Sequence, residues 1–313
     1  MKNTAPLAVD KTITLNINGS RQRIRLCAAR PGLPPLLVVQ AGPALPLLHE
    51  VAKFQRLLDL ENDFLVGYWD QRGCGNASAH DARSVSVAQQ VEDLRSVLRW
   101  LHGETRQRAL ILGISIGGTI TLRAVEHEPD RVRAVIAVSP DAQTAASDAA
   151  AHAFLLEQAL RADSGRVRRS LKALAPPPYL EPAPFQRRAR LLADLGTIER
   201  GKTFGGLVRE MLLAMIRTYG AVGGVRALRN MNIVQRKLLP EIASLDLFAR
   251  PPRVAVPVHY VFGEQDVMTP ASVVRELPAA IAAPATTVVR LPDAGHMVHF
   301  DQPRIVRSIL EQA

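Results

Sequence analysis

Hydrophobic and polar positions keep two rhythms along this chain. Between about residue 11 and residue 140, short apolar runs alternate with stretches of helical spacing. Ile13 to Ile17 and Arg23 to Ala29 alternate polar and apolar residues, the period of half-exposed antiparallel strands. Leu36 to Val39, Phe64 to Trp69, Ala109 to Gly113 and Val132 to Val138 are continuous apolar runs. Such runs predict strands covered on both faces, as in a parallel sheet. Val87 to Leu101 and Gly117 to Glu128 carry helical spacing, with Val87, Val91, Leu94, Val97, Leu98 and Leu101 on one side of the first.

The alternation stops near Asp141. From there to about Arg250 the spacing is that of amphipathic helices, broken at Pro176-Pro177-Pro178-Tyr179, with no strand pattern. Strands resume at Val256 to Phe262 and Thr286 to Leu291, followed by helices over Ala271 to Ala283 and Pro303 to Glu311. The pattern therefore predicts an α/β protein with a doubly wound, mostly parallel sheet. Its core spans 1–140 and 251–313, and a helical cap is inserted at 141–250. Ligands of such sheets bind beyond the carboxyl ends of the strands.

Composition narrows the class. Of 313 residues, 47% are hydrophobic and 22% charged, which is ordinary globular usage and enough to build a core. No apolar run reaches the roughly 18 residues of a membrane span, and Met1 to Pro6 lacks the apolar core of a signal peptide. Two cysteines, Cys27 and Cys74, are too few for a disulfide framework or a zinc site. A reducing, cytoplasmic setting is expected. The net charge of +10 is spread over many segments, without the concentrated stripe and recognisable module of nucleic-acid binding. The expected partner is a small molecule or short peptide, with no nucleic acid and no membrane; oligomeric state is left open.

The strand ends carry the chemistry. Gly113-Ile114-Ser115-Ile116-Gly117 sits where the strand ending at Leu112 meets a helix. A serine on so tight a turn needs glycine two residues either side, and the helix N-terminus beneath it favours developing negative charge. A serine hydroxyl is a weak nucleophile that needs a histidine to take its proton and an acid to orient that histidine. Later strand ends supply both, in the order serine, acid, histidine. Gly263-Glu264-Gln265-Asp266 follows one strand, and Asp293-Ala294-Gly295-His296 follows the last. His296 is preferred to His299, and Asp266 to Glu264 and Asp293, with Asp141 in reserve. For an oxyanion hole of backbone N–H groups, Ile116 supplies one donor. Gly42, in Gln40-Ala41-Gly42-Pro43-Ala44, supplies the other, since Pro43 has no N–H.

Together these residues resemble the α/β-hydrolase superfamily, within it the prolyl iminopeptidase-like branch of serine peptidases. More particular is Asp70-Gln71-Arg72-Gly73-Cys74-Gly75-Asn76-Ala77-Ser78. It resembles the Asp-Gln-Arg-Gly-x-Gly-x-Ser segment of that branch, with one residue inserted before the serine. The resemblance implies a serine hydrolase with a helical lid and neither metal nor organic cofactor, in which Asp70, Gln71 and Arg72 brace the loops around the site. It also implies cap carboxylates that hold a substrate amine, for which Glu157, Glu181, Glu199, Glu210 and Glu241 are available. Where the branch has His-Gly-Gly-Pro-Gly at the oxyanion loop, this chain has Gln40 to Ala44; where it often has tryptophan inside the elbow, this chain has Ile116.

Three functions fit these residues. The first is hydrolysis of a small carboxylic ester through an acyl-enzyme on Ser115. The second is an aminopeptidase acting on an unblocked N-terminus with the same machinery. The third is a hydrolase scaffold kept for binding a small ligand. Apolar cap stretches, Val208 to Met215 and Ile242 to Phe248, predict an apolar pocket.

Overall fold

A computed structural model describes residues 7–162 and 165–313. Eight strands form one sheet: β1 (Val9–Ile17), β2 (Ser20–Ala28), β3 (Pro35–Val39), β4 (Leu65–Asp70), β5 (Ala109–Ile114), β6 (Val132–Val138), β7 (Val258–Gly263) and β8 (Thr286–Leu291). Their order is β1-β2-β4-β3-β5-β6-β7-β8. The β1–β2 and β2–β4 pairs are antiparallel and every other pair is parallel. The twelve helices of the described residues are α1 (Val51–Leu57), α2 (Ala79–Arg83), α3 (Val87–Thr105), α4 (Ile116–Val125), α5 (Thr144–Arg161), α6 (Gly165–Lys172), α7 (Pro182–Asp194), α8 (Phe204–Ala243), α9 (Ala271–Val274), α10 (Leu277–Ala280), α11 (Val298–Asp301) and α12 (Pro303–Gln312). None of them is long and apolar enough to cross a membrane.

The continuous apolar runs of β3, β5 and β6 are buried along their length because both faces of the sheet are covered. Alternate residues serve two cores. Leu37, Val39, Ile111 and Val135 pack with Leu94, Val97 and Leu98 of α3. Leu36, Val38, Leu110 and Ile136 pack with Val51 and Phe54 of α1 and Val306 of α12. Ser86 caps α3 by accepting the Gln89 N–H at 3.0 Å, as N-terminal serines do.

The chain reverses its direction of winding at β3. From β3 it moves outward to β4, then returns across β3 to β5. The loops leaving β3 and β5 are thus neighbours at a topological switch point, where doubly wound sheets leave a crevice. All four helices of the 141–250 stretch, α5 to α8, lie between β6 and β7 in the chain, as its spacing predicts. The α8 run is broken at Gly220 (φ 72°, ψ 171°).

Several elements differ from the sequence pattern. The helix expected over Ala271 to Ala283 is two short ones, α9 and α10, because Pro278 has no N–H to continue the first. The short α1 and α2, of seven and five residues on either side of β4, are too short to show a period. Thr286 to Leu291 pairs as expected but forms the sheet edge, with most of its residues exposed.

Candidate active site

Ser115 occupies the single position between β5 and α4. Its backbone sits at φ 54°, ψ −128°, a region that costs a residue with a side chain on the order of 1–3 kcal/mol. The turn is held by the Ser115 N–H donating to the Val138 carbonyl and the Gly118 N–H donating to the Ser115 carbonyl, both at 2.8 Å. Its glycines are steric requirements. A Cβ on Gly113 would lie 2.8 Å from the Gly118 Cα, and one on Gly117 would run into the carbonyls of Val39 and Gln40.

Ser115 Oγ lies 2.9 Å from His296 Nε2, and His296 Nδ1 lies 2.9 Å from Asp266 Oδ2. A ring donating Nδ1–H to Asp266 leaves Nε2 to accept the Ser115 proton. Asp266 also accepts the backbone N–H groups of Met268 (2.8 Å) and Thr269 (3.0 Å) and the Thr269 hydroxyl (2.6 Å). Burial alone would raise this carboxyl. The facing His296 and the hydrogen bonds of His296 and Thr269 outweigh it and hold Asp266 below its ordinary value. Burial pushes the His296 imidazole down, but Asp266 and Asp141 pull harder, and it ends above its ordinary value.

The rejected candidates lie elsewhere. His299 is fully buried, its ring stacked on Phe54 at 5.4 Å, and Glu264 and Asp293 are exposed. Gly42 and Ile116 face each other across the β3 and β5 loops: a Cβ on Gly42 would stand 3.1 Å from Ile116 Cγ2.

Asp70, Gln71 and Arg72 are each at most 4% exposed. Asp70 Oδ1 accepts the Leu47 and Leu48 N–H groups at 2.7 and 2.9 Å, tying down the chain after the Gly42 loop. Its Oδ2 accepts the Tyr219 hydroxyl of α8 at 2.7 Å. Gln71 accepts from Gln90 of α3. Arg72 donates twice to Asp93 (2.7 and 2.9 Å) and to the carbonyls of Ile17 and Asn18. It therefore braces the β1–β2 turn against α3, away from Ser115.

Asp141 holds a second carboxylate at the serine, its Oδ2 3.4 Å from Ser115 Oγ. Burial raises its carboxyl, against the pull of His296 and Arg188. It lines a cavity of about 30 Å³ with Gly42, Ser115, Thr144, Ser147, Asp148 and Arg188 among its walls, room for about two waters. Arg188 of α7 forms a buried ion pair with Asp148 of α5 and lies over the rings of Tyr179 and Phe185 at 5.1 and 5.2 Å. Burial lowers its guanidinium to about 10, so it is charged at neutral pH.

Two expectations are corrected here. The pocket is lined in large part by apolar side chains, among them Ile116, Phe185, Leu239, Ile242 and Met268, but of the two cap stretches expected to form it only the Ile242 end contributes; Val208 to Met215 does not line it, and Leu213 is 48% exposed. Nor do the five cap glutamates line it. Glu157 pairs with Arg161, Glu181 with Arg236, Glu199 with Lys53 and Lys202, Glu210 with Lys202, and Glu241 accepts the Val87 N–H. Sequence reasoning missed Asp148 and Arg188. The available signal was the spacing of Thr144, Ser147, Asp148 and Ala151, a buried helical stripe that carries polar side chains. It also missed Thr197 and Ile198, whose carbonyls accept the N–H groups of His296 and Met297 at 2.9 and 2.8 Å.

A family model described as "Alpha/beta hydrolase family" matches residues 41–309. The chain belongs to the alpha/beta hydrolase family. Among curated relatives it is 20% identical over 303 residues to the probable aminopeptidase YbaC of Bacillus subtilis (strain 168), covering 95% of this chain and 94% of that one. Among solved structures it is similar to the proline iminopeptidase of Mycobacterium smegmatis, with TM-score 0.67, 19% identity, and coverage of 96% of this chain and 97% of that one. It is also similar to a proline iminopeptidase-related protein of Thermus thermophilus, with TM-score 0.62, 19% identity, and coverage of 97% of this chain and 96% of that one. The family's sheet, with helices inserted after β6, is the architecture found here. At these identities the structural likeness speaks for the fold.

Proposed function

We propose that this alpha/beta hydrolase is a serine hydrolase that removes small acyl groups bearing a free α-amine, from amides or esters. Ser115 Oγ attacks the carbonyl carbon as His296 Nε2 takes its proton, with Asp266 fixing the ring and stabilising its charge. The backbone N–H groups of Ile116 and Gly42 receive the oxyanion. His296 returns the proton to the leaving group, and water then releases the acyl group from Ser115 by the same route. The hydrogen-bonded run from Ser115 through His296 to Asp266 supports catalysis over a scaffold kept only for binding.

The observation that carries the choice of substrate is Asp141, with its carboxylate 3.4 Å from Ser115 Oγ. For an ester of a simple carboxylic acid this charge is a liability, because it opposes the negative charge that develops on the adjacent oxygen. A substrate ammonium one carbon from the carbonyl reverses the sign. Placed against Asp141, it would pair with that carboxylate and screen it from the oxyanion. The lining agrees, since two carboxylates, Asp141 and Asp148, face one guanidinium, Arg188. The amine site assigned by resemblance to a cap glutamate thus goes to Asp141. The small-ester reading shares all the other machinery, and the kinship with a probable aminopeptidase favours the amine.

The test is p-nitroaniline release from unblocked alanine and proline anilides and from their N-acetyl forms, with Ser115→Ala as the blank. Free-amine turnover at least tenfold above the acetylated forms is expected. Equal rates on both would remove the amine, and unchanged rates in Ser115→Ala would remove the mechanism.

A further inference from the structure

The polar end of the pocket takes no part in the proton transfers above. Arg188 and Asp148 are 3% and 4% exposed, and they join α7 to α5 across the cavity that Ser115 opens into. Beside them, Arg188 Nε, Thr144 Oγ1 and Ser147 Oγ are buried without a hydrogen-bond partner among the described residues. All three residues line the same cavity. The guanidinium cannot withdraw freely, since Asp148 holds it and the rings of Tyr179 and Phe185 flank it.

We infer that this ion-pair end is the subsite for the side chain of the acyl group, and that it selects short, oxygen-bearing side chains over long apolar ones. The inference rests on the hydrolase reading above and deepens it. An apolar chain pushed against Arg188, Thr144 and Ser147 strands three donors in a desolvated space, whereas a side-chain oxygen accepts from them. Sites built to hydrogen-bond a substrate group discriminate strongly against analogues that lack it. The fixed pair also limits the depth, because Asp148 and the flanking rings of Tyr179 and Phe185 hold the guanidinium in place.

The experiment compares kcat/KM for the unblocked p-nitroanilides of serine, alanine, leucine and phenylalanine. It uses the wild-type chain and the double variant Arg188→Met/Asp148→Leu, which exchanges the pair for apolar groups of similar size, a swap buried ion pairs often tolerate. In the wild type, serine should lead alanine, and both should exceed leucine and phenylalanine by about tenfold or more. In the double variant the serine-to-leucine ratio should fall by a similar factor. Leucine matching serine in the wild type would overturn the inference, as would an unchanged ratio in a double variant that circular dichroism finds folded. If the double variant does not fold, the wild-type series decides alone. If no free-amine anilide is turned over, the amine reading has failed separately, and the subsite is read on p-nitrophenyl 3-hydroxypropanoate against butyrate. Preference for the hydroxyacyl ester supports the subsite; equal turnover, or none of either, overturns it.

Discussion

Asp141→Asn keeps the shape of one pocket wall and removes a charge 3.4 Å from Ser115 Oγ. A substrate ammonium against Asp141 comes within about 4 Å of it, where two unit charges attract by ~4 kcal/mol at an effective dielectric near 20. Desolvating both groups takes part of this back, and hydrogen bonds between charged groups retain ~1.5–3 kcal/mol. At 1.36 kcal/mol per factor of ten, kcat/KM for unblocked alanine p-nitroanilide should fall about 10- to 150-fold. An ester without an amine should behave oppositely, holding or gaining rate, because a like charge beside the oxyanion has gone. The assay is steady-state release of chromophore from the two substrates by both proteins at one ionic strength. Equal losses on the two substrates would refute the reasoning, since they would mean that Asp141 acts through the fold or through His296.

Two further outcomes follow from the same geometry. The pH profile of kcat/KM should rise with a midpoint above 6.5, because Asp266 and Asp141 raise the imidazole that must be neutral to act as base. On free-amine substrates it should fall again near pH ~8 as the ammonium is lost, and on N-acetyl substrates that second limb should be absent. Asp93→Ala should lower stability by about 3–5 kcal/mol in urea unfolding, because it leaves the buried Arg72 guanidinium without its two carboxylate contacts; a loss under about 1 kcal/mol would mean that Arg72 finds other partners.

The sheet was legible from the chain alone because its central strands are buried on both faces, and unbroken runs such as Leu110–Leu112 have no other home. The serine turn was legible because sterics leave few residue choices around it: Gly113 and Gly117 face atoms that no side chain could share. His296 and Asp266 followed from chain order. Ile242 of an expected apolar stretch does line the pocket, but its polar wall was not legible. Its members come from α5 and α7, whose packing partner is another helix, and the pairing of Asp148 with Arg188 spans 40 residues. Spacing reports a periodic face but not what that face meets. The same limit makes five cap glutamates equal on paper, while the carboxylate at the serine is Asp141, which the sequence offers only as a second choice for the acid that orients the histidine. Resemblance names Asp70 to Arg72 as one brace, and only the fold separates their duties: Asp70 holds the chain after the Gly42 loop and α8, and Arg72 the β1–β2 turn.

The nucleophile itself is tested most directly by treating the folded protein with a fluorophosphonate and mapping the adduct by intact-mass and peptide mass spectrometry. One adduct per chain on Ser115, lost in His296→Ala, is the expected result. A folded protein that takes no label, or takes it on another residue, would contradict the mechanism at its first step.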